Sequence, residues 1–130
     1  MGYLSTLSFV AAGGAIGACL RFLISEFSLA MFGRGFPYGT LTVNIIGSFC
    51  MGAMFIALEQ SQIPGSPWRA LISVGMLGAL TTFSTFSMDN LALLQQGAIV
   101  KLALNIILNV SLCFAAVAAG YYLFQKSPVS

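Results

Sequence analysis

Thr81-Thr82-Phe83-Ser84-Thr85-Phe86 interrupts a charge-free window, residues 70–88, that is long enough to cross a bilayer. The run sets hydroxyls and two aromatic rings where a lipid-facing helix would carry Leu, Ile and Val. Hydroxyl and β-branched residues at bilayer depth belong against protein or water, where they support a helix that breaks and restarts. Gly75 and Gly78, just ahead of two consecutive threonines, place the expected break near residues 78–82. Carbonyls freed by a break coordinate cations, and a restarting helix N-terminus favours an anion. The other reading of the same residues is a continuous helix whose Thr and Ser side chains bond back to its own carbonyls.

The rest of the chain supports a membrane setting. Of 130 residues 58% are hydrophobic and 6% charged, against roughly 25% charged in a soluble domain. Mean hydropathy is +0.96. Charge-free windows cover residues 4–20, 35–58, 70–88 and 102–125, and about 20 apolar residues span the hydrocarbon core. The reading is an all-α membrane protein in one domain, residues 1–130, with four transmembrane helices at about 4–30, 38–59, 68–95 and 99–124. Both termini then lie on one side. Four short helices leave little room for an enclosed path through one subunit, which favours an oligomer. Residues 1–20 lack a basic leader region, so the first helix is expected to stay. Met1-Gly2-Tyr3-Leu4-Ser5-Thr6 fits an N-myristoylation pattern, but a helix starting near residue 4 makes a lipid redundant.

Charge says little about orientation. Arg69 and Lys126 fall on the side of the N-terminus, Arg34 and Lys101 on the other, with Arg21 tipping the balance toward the second. The positive-inside rule needs an asymmetry to fix topology. Insertion in both orientations and a single weakly signalled topology both remain open, and the first would make an antiparallel homodimer available.

The polar residues inside the spans carry what chemistry there is. Gly13 and Gly17 in the first helix have the GxxxG spacing that lets helices approach closely. Asn44 lies within the second span, and a buried amide must find a neighbouring helix or a solute. Asn105, Asn109 and Cys113 share one face of the fourth. Phe83 and Phe86, three apart, also share a face. Their rings attract cations face-on and can line a path for a small anion edge-on. The amide of Asn44 and the hydroxyls of Ser84 and Thr85 add neutral donors, which suit rapid anion passage because a fixed positive charge would hold the ion. Each residue taken alone also reads as packing. Cys19, Cys50 and Cys113 have no CxxC partner, and the chain has no His and three acids, which argues against zinc or acid–base catalysis and so against an enzyme.

Taken together, three blocks resemble the signatures of the small microbial fluoride channels. They are Gly13-Gly14-Ala15-Ile16-Gly17-Ala18 with Arg21, Gly39-Thr40-Leu41-Thr42-Val43-Asn44 with Gly47, and Gly75-Met76-Leu77-Gly78 leading into Thr81-Thr82-Phe83-Ser84-Thr85-Phe86. The resemblance covers nearly the whole chain, and the last block is its most specific part. It implies an antiparallel, dual-topology homodimer in a bacterial inner membrane, with two pores giving passive fluoride efflux and hence fluoride resistance. Phe83 and Phe86 would be the pore phenylalanines, Asn44 the pore amide, and Ser84 and Thr85 hydroxyl contacts. Gly78 and Thr81 would offer backbone carbonyls to a structural Na+, and Arg21 would draw anions toward a vestibule. The fourth helix, where the family commonly has hydroxyls, offers Asn105, Asn109 and Cys113, of which Asn109 is the expected contact. Asp89 falls where the family often has an acid near the pore mouth. Two other classes compete: a small proton-coupled multidrug-type exporter, which needs a carboxylate at mid-depth, and a structural membrane subunit. Glu26, Glu59 and Asp89 all fall near helix ends.

Overall fold

The computed structural model describes residues 2–127, so Met1 of the acylation pattern lies outside the described residues. Four membrane-length helices make up the chain: Tyr3–Phe32, Tyr38–Glu59, Ser66–Gln95 and Ile99–Phe124. The third is interrupted, as expected. Hydroxyls in the continuous helices satisfy themselves internally, Ser8 and Thr42 donating to the carbonyls of Leu4 and Tyr38 at 2.9 and 2.7 Å. That is the cheap solution for a polar group in lipid. Gly33 at φ 79° and Gly97 at φ 72° end the first helix and turn the chain after the third span. Both conformations are left-handed and favour glycine.

Helices in lipid gain little from mutual hydrophobicity, so close packing must hold them together. Two glycine seams do this. Side chains added at Gly13 or Gly17 would collide with the backbone carbonyls of Leu71 or Met76, and one at Gly75 with that of Val10. This seam joins the first helix to the first half of the third. The second seam joins the second and fourth helices: a Cβ at Gly52 would meet the Val117 carbonyl, and one at Gly120 that of Phe49. Val43, Met54, Leu77 and Leu80 form the buried apolar centre between them. Along Arg69–Leu77 the third span is wound as a wider π-type helix. This feature was not expected from the sequence, and it sits where the first helix's glycines press against Leu71 and Met76. Large apolar side chains such as Phe22, Phe27, Val100 and Phe114 stay exposed on the outside, where a membrane or another chain would cover them.

Candidate functional site

The last α-helical turn before the interruption is Gly78–Leu80, and the helix resumes at Phe83–Gln95. Thr81 (φ −79°, ψ 155°) and Thr82 (φ −150°, ψ 122°) are extended between them. A helix end leaves carbonyls without amides, and a helix start leaves amides without carbonyls. Each such group has to be accounted for in a membrane.

Asn44 of the second helix does most of this work. Its Oδ1 accepts from Thr82 N–H at 2.8 Å, and its Nδ2 donates to Thr82 C=O at 3.1 Å. One amide thus replaces the two backbone partners that the break removed. Thr82 caps the restarted helix through its own hydroxyl, which accepts from Thr85 N–H at 3.1 Å. Arg21 reaches in from the first helix, donating from Nε to the Ala79 carbonyl at 3.0 Å. Thr81 N–H and Oγ1 both donate back to Leu77 C=O at 3.2 and 3.1 Å.

The Ala79 carbonyl has taken Arg21 in place of an amide, and the carbonyls of Gly78 and Thr81 are among the others that lose their regular partners. The amide four residues after Gly78 is that of Thr82, which turns to Asn44. The one four residues after Thr81 is that of Thr85, which turns to Thr82 Oγ1. Gly78 is exposed on the outer face of the subunit and Thr81 is half-buried. Freed backbone carbonyls are hard oxygen donors of the kind that Na+ takes, and a site made of them needs no cluster of His, Cys, Asp or Glu; none occurs among the described residues.

The sequence placed Phe83 and Phe86 on one face, and their rings do meet, with centroids 5.5 Å apart and planes at 55°. Their surroundings differ sharply: Phe86 is 8% exposed and Phe83 77%. Both line a groove of about 520 Å³ with Asn44, Thr81, Thr82, Asn109 and Cys113. A separate cavity of about 430 Å³ lies at the Gly33–Tyr38 end, lined by Glu26, Arg34, Thr40, Thr85 and Asp89 among others. Thr40 Oγ1 donates to Asp89 Oδ2 there at 2.7 Å. Thr85 therefore faces this cavity rather than the Phe83–Phe86 groove. Ser84 is exposed, its hydroxyl 3.4 Å from that of Thr82.

From Asn44 a chain of side-chain amides runs across three helices. Asn44 Nδ2 donates to Asn109 Oδ1 at 3.1 Å, and Asn109 Nδ2 to the Asn105 carbonyl and Oδ1 at 2.8 and 3.0 Å. Asn105 Nδ2 then donates to Asn90 Oδ1 at 2.7 Å. Asn105 and Asn109 are buried, at 0% and 6% exposure. The fourth-helix stripe was legible from its spacing. Its continuation to Asn90 and its tie to Asn44 were not, because nothing local pairs residues so far apart in the chain. Arg21's grip on Ala79 was missed for the same reason; the Thr82 cap is local, reaching Thr85 N–H, and a threonine just ahead of a helix start is a capping signal that the sequence reading passed over.

Relatives are close and cover nearly the full length. A protein of Vibrio parahaemolyticus named fluoride-specific ion channel FluC is 58% identical over 127 residues, spanning 98% of this chain and 100% of the relative. Proteins of the same name from Photobacterium profundum and Vibrio cholerae are 56% and 54% identical over 98% and 93% of the chain, and over 100% and 96% of their own lengths. The family profile described as "CrcB-like protein, Camphor Resistance (CrcB)" matches residues 8–121. With its four membrane helices, its interrupted third span and this match over most of its length, the chain belongs to the CrcB-like protein family.

Proposed function

We propose that the chain is a fluoride-selective channel, passive and driven by the fluoride gradient, through which cytoplasmic fluoride leaves a bacterium across its inner membrane. The observation that carries the reading is the break in the third span, which sets the Phe83–Phe86 pair beside an open groove at mid-depth. Ring edges carry partial positive charge and hold no proton to exchange, so they favour a small anion without trapping it. Asn44 and Asn109 line the same groove, the exposed Ser84 adds a hydroxyl beside Thr82, Thr85 offers one to the far cavity, and Arg21 adds positive potential at the break. A downhill path requires no coupling carboxylate, and Asp89 near the far cavity is already engaged by Thr40.

The functional unit in this proposal is an antiparallel, dual-topology homodimer with two pores. The groove is open on its outer side in a single subunit, where Phe83 is exposed. A second copy would close it. The freed carbonyls of Gly78 and Thr81, paired with those of that copy, would hold a structural Na+ at the dimer centre, fixing the two breaks against each other. Fluoride efflux from liposomes containing the purified chain, with chloride as the control anion, tests the reading. Fast fluoride flux with negligible chloride flux is expected, and a well-folded dimer that passes no fluoride would overturn it.

A further inference from the structure

The amide chain has a direction, and that direction is imposed from the break. Thr82 presents one donor and one acceptor from its backbone, so the Asn44 amide fits in a single orientation, Oδ1 to N–H and Nδ2 to C=O. Asn109 must then turn its Oδ1 to Asn44, which leaves its Nδ2 facing the two Asn105 oxygens. Asn105 Oδ1 is thereby an acceptor, and its Nδ2 is left to donate to Asn90 Oδ1. A side-chain amide has two N–H donors. Asn44 and Asn109 have each committed both of theirs to protein oxygens. Asn90 is different: its Oδ1 is held by Asn105, and its Nδ2 donates to nothing among the described residues.

Asn90 also stands in line with the rings. Phe83, Phe86 and Asn90 follow at intervals of three and four residues, one face of the restarted helix. Asn90 lies four residues beyond Phe86, about 6 Å further along the axis at 1.5 Å per residue, just past the residues that line the groove. We infer that Asn90 is an anion-contact residue on the route past Phe86, and that Asn105, Asn109 and Asn44 act as positioning residues keeping its NH2 turned outward. The inference rests on the channel reading. It adds to the groove's own lining a further neutral donor beyond Phe86, whose NH2 is free where those of Asn44 and Asn109 are engaged.

The test uses the full chain in liposomes with a fluoride-selective electrode. Asn90→Asp keeps the acceptor for Asn105 and exchanges only the free NH2 for oxygen. Asn105→Asp leaves Asn90 untouched but reverses what it must present, since Asn90 would turn its NH2 inward to the new carboxylate. Both variants are expected to lower fluoride flux by about tenfold or more, the worth of one hydrogen bond to an ion, and to raise the half-saturating fluoride concentration with the dimer intact. A role in packing alone would shift thermal stability and leave half-saturation unchanged. Should the acidic variants fail to fold, Asn90→Ser, which retains a neutral donor, is expected to conduct at least about threefold better than Asn90→Ala. Wild-type flux with no difference among the folded variants overturns the assignment of Asn90 alone. Absence of fluoride flux from the folded wild-type chain overturns the channel reading with it.

Discussion

Replacing Asn44 by Ala removes three hydrogen bonds at once, at 2.8 Å to Thr82 N–H, 3.1 Å to Thr82 C=O and 3.1 Å to Asn109. Hydrogen bonds between membrane helices average ~0.6 kcal/mol each and reach ~1.7, so the set amounts to about 2–5 kcal/mol. Two of the three partners are backbone groups that the break has already deprived of helical partners, which pushes the cost toward the upper half of that range. The adjoining groove admits water and pulls it back. We expect Asn44→Ala to lose about 3 kcal/mol and most fluoride flux together, because the break is what Asn44 holds. Thr42→Ala is the control: its hydroxyl, on the same helix, bonds only to Tyr38 C=O at 2.7 Å, and its loss should be silent. Thermal unfolding in detergent and liposome flux measure both. Equal melting temperatures and equal flux for the two variants would mean that the break does not depend on Asn44, and would refute its role as the partner of Thr82.

Three further outcomes follow from the same geometry. Phe83→Ile and Phe86→Ile should both abolish fluoride flux; a packing role would follow burial instead, sparing the 77%-exposed Phe83 and penalising the 8%-exposed Phe86. Gly52→Ala and Gly120→Ala should each destabilise the fold by about 1–3 kcal/mol, since the new methyl meets an opposing backbone carbonyl, whereas Gly14→Ala, with open space around it, should be neutral in the same unfolding assay. Complete replacement of Na+ by a large organic cation should lower the melting temperature of the dimer, and restoring Na+ should recover it; an unchanged melting temperature would remove the ion from the proposed assembly.

The four helices were legible because charge-free windows of spanning length are a long-range average that no single residue can spoil. The break was legible for a more local reason: Gly78, Thr81 and Thr82 are each poor at continuing a helix, and they fall together. What the break is made of was not legible. Asn44 read alone suggested either a bond between helices or contact with a solute, and in the structure it replaces the missing partners of a backbone 38 residues away. The fourth-helix stripe of Asn105 and Asn109 was visible in its spacing, yet its direction depends on Thr82, which no periodicity connects to it. The π-type winding of Arg69–Leu77 left no trace in the sequence, because its residues are ordinary helix and membrane formers and only tertiary contact with the first helix distinguishes the segment.

The depth of the break bears on why an inverted partner is the one to propose. Fifteen residues of the third span precede Thr81, and thirteen follow Thr82, so the extended pair sits near the middle of the span. A feature at mid-depth keeps its level when the chain is turned over, and a feature near one end does not. An inverted copy would therefore bring its own Gly78 and Thr81 carbonyls level with these, doubling the oxygens around one ion, as hard cations require several oxygen ligands. The side-chain amides behave in the opposite way. Asn90 lies five residues from the end of the third span at Gln95, so inversion would place one such donor toward each face of the membrane. The proposed dimer would then hold its ion with the part of the chain that inversion leaves in place, and present its free amides toward both membrane faces with the part that inversion exchanges.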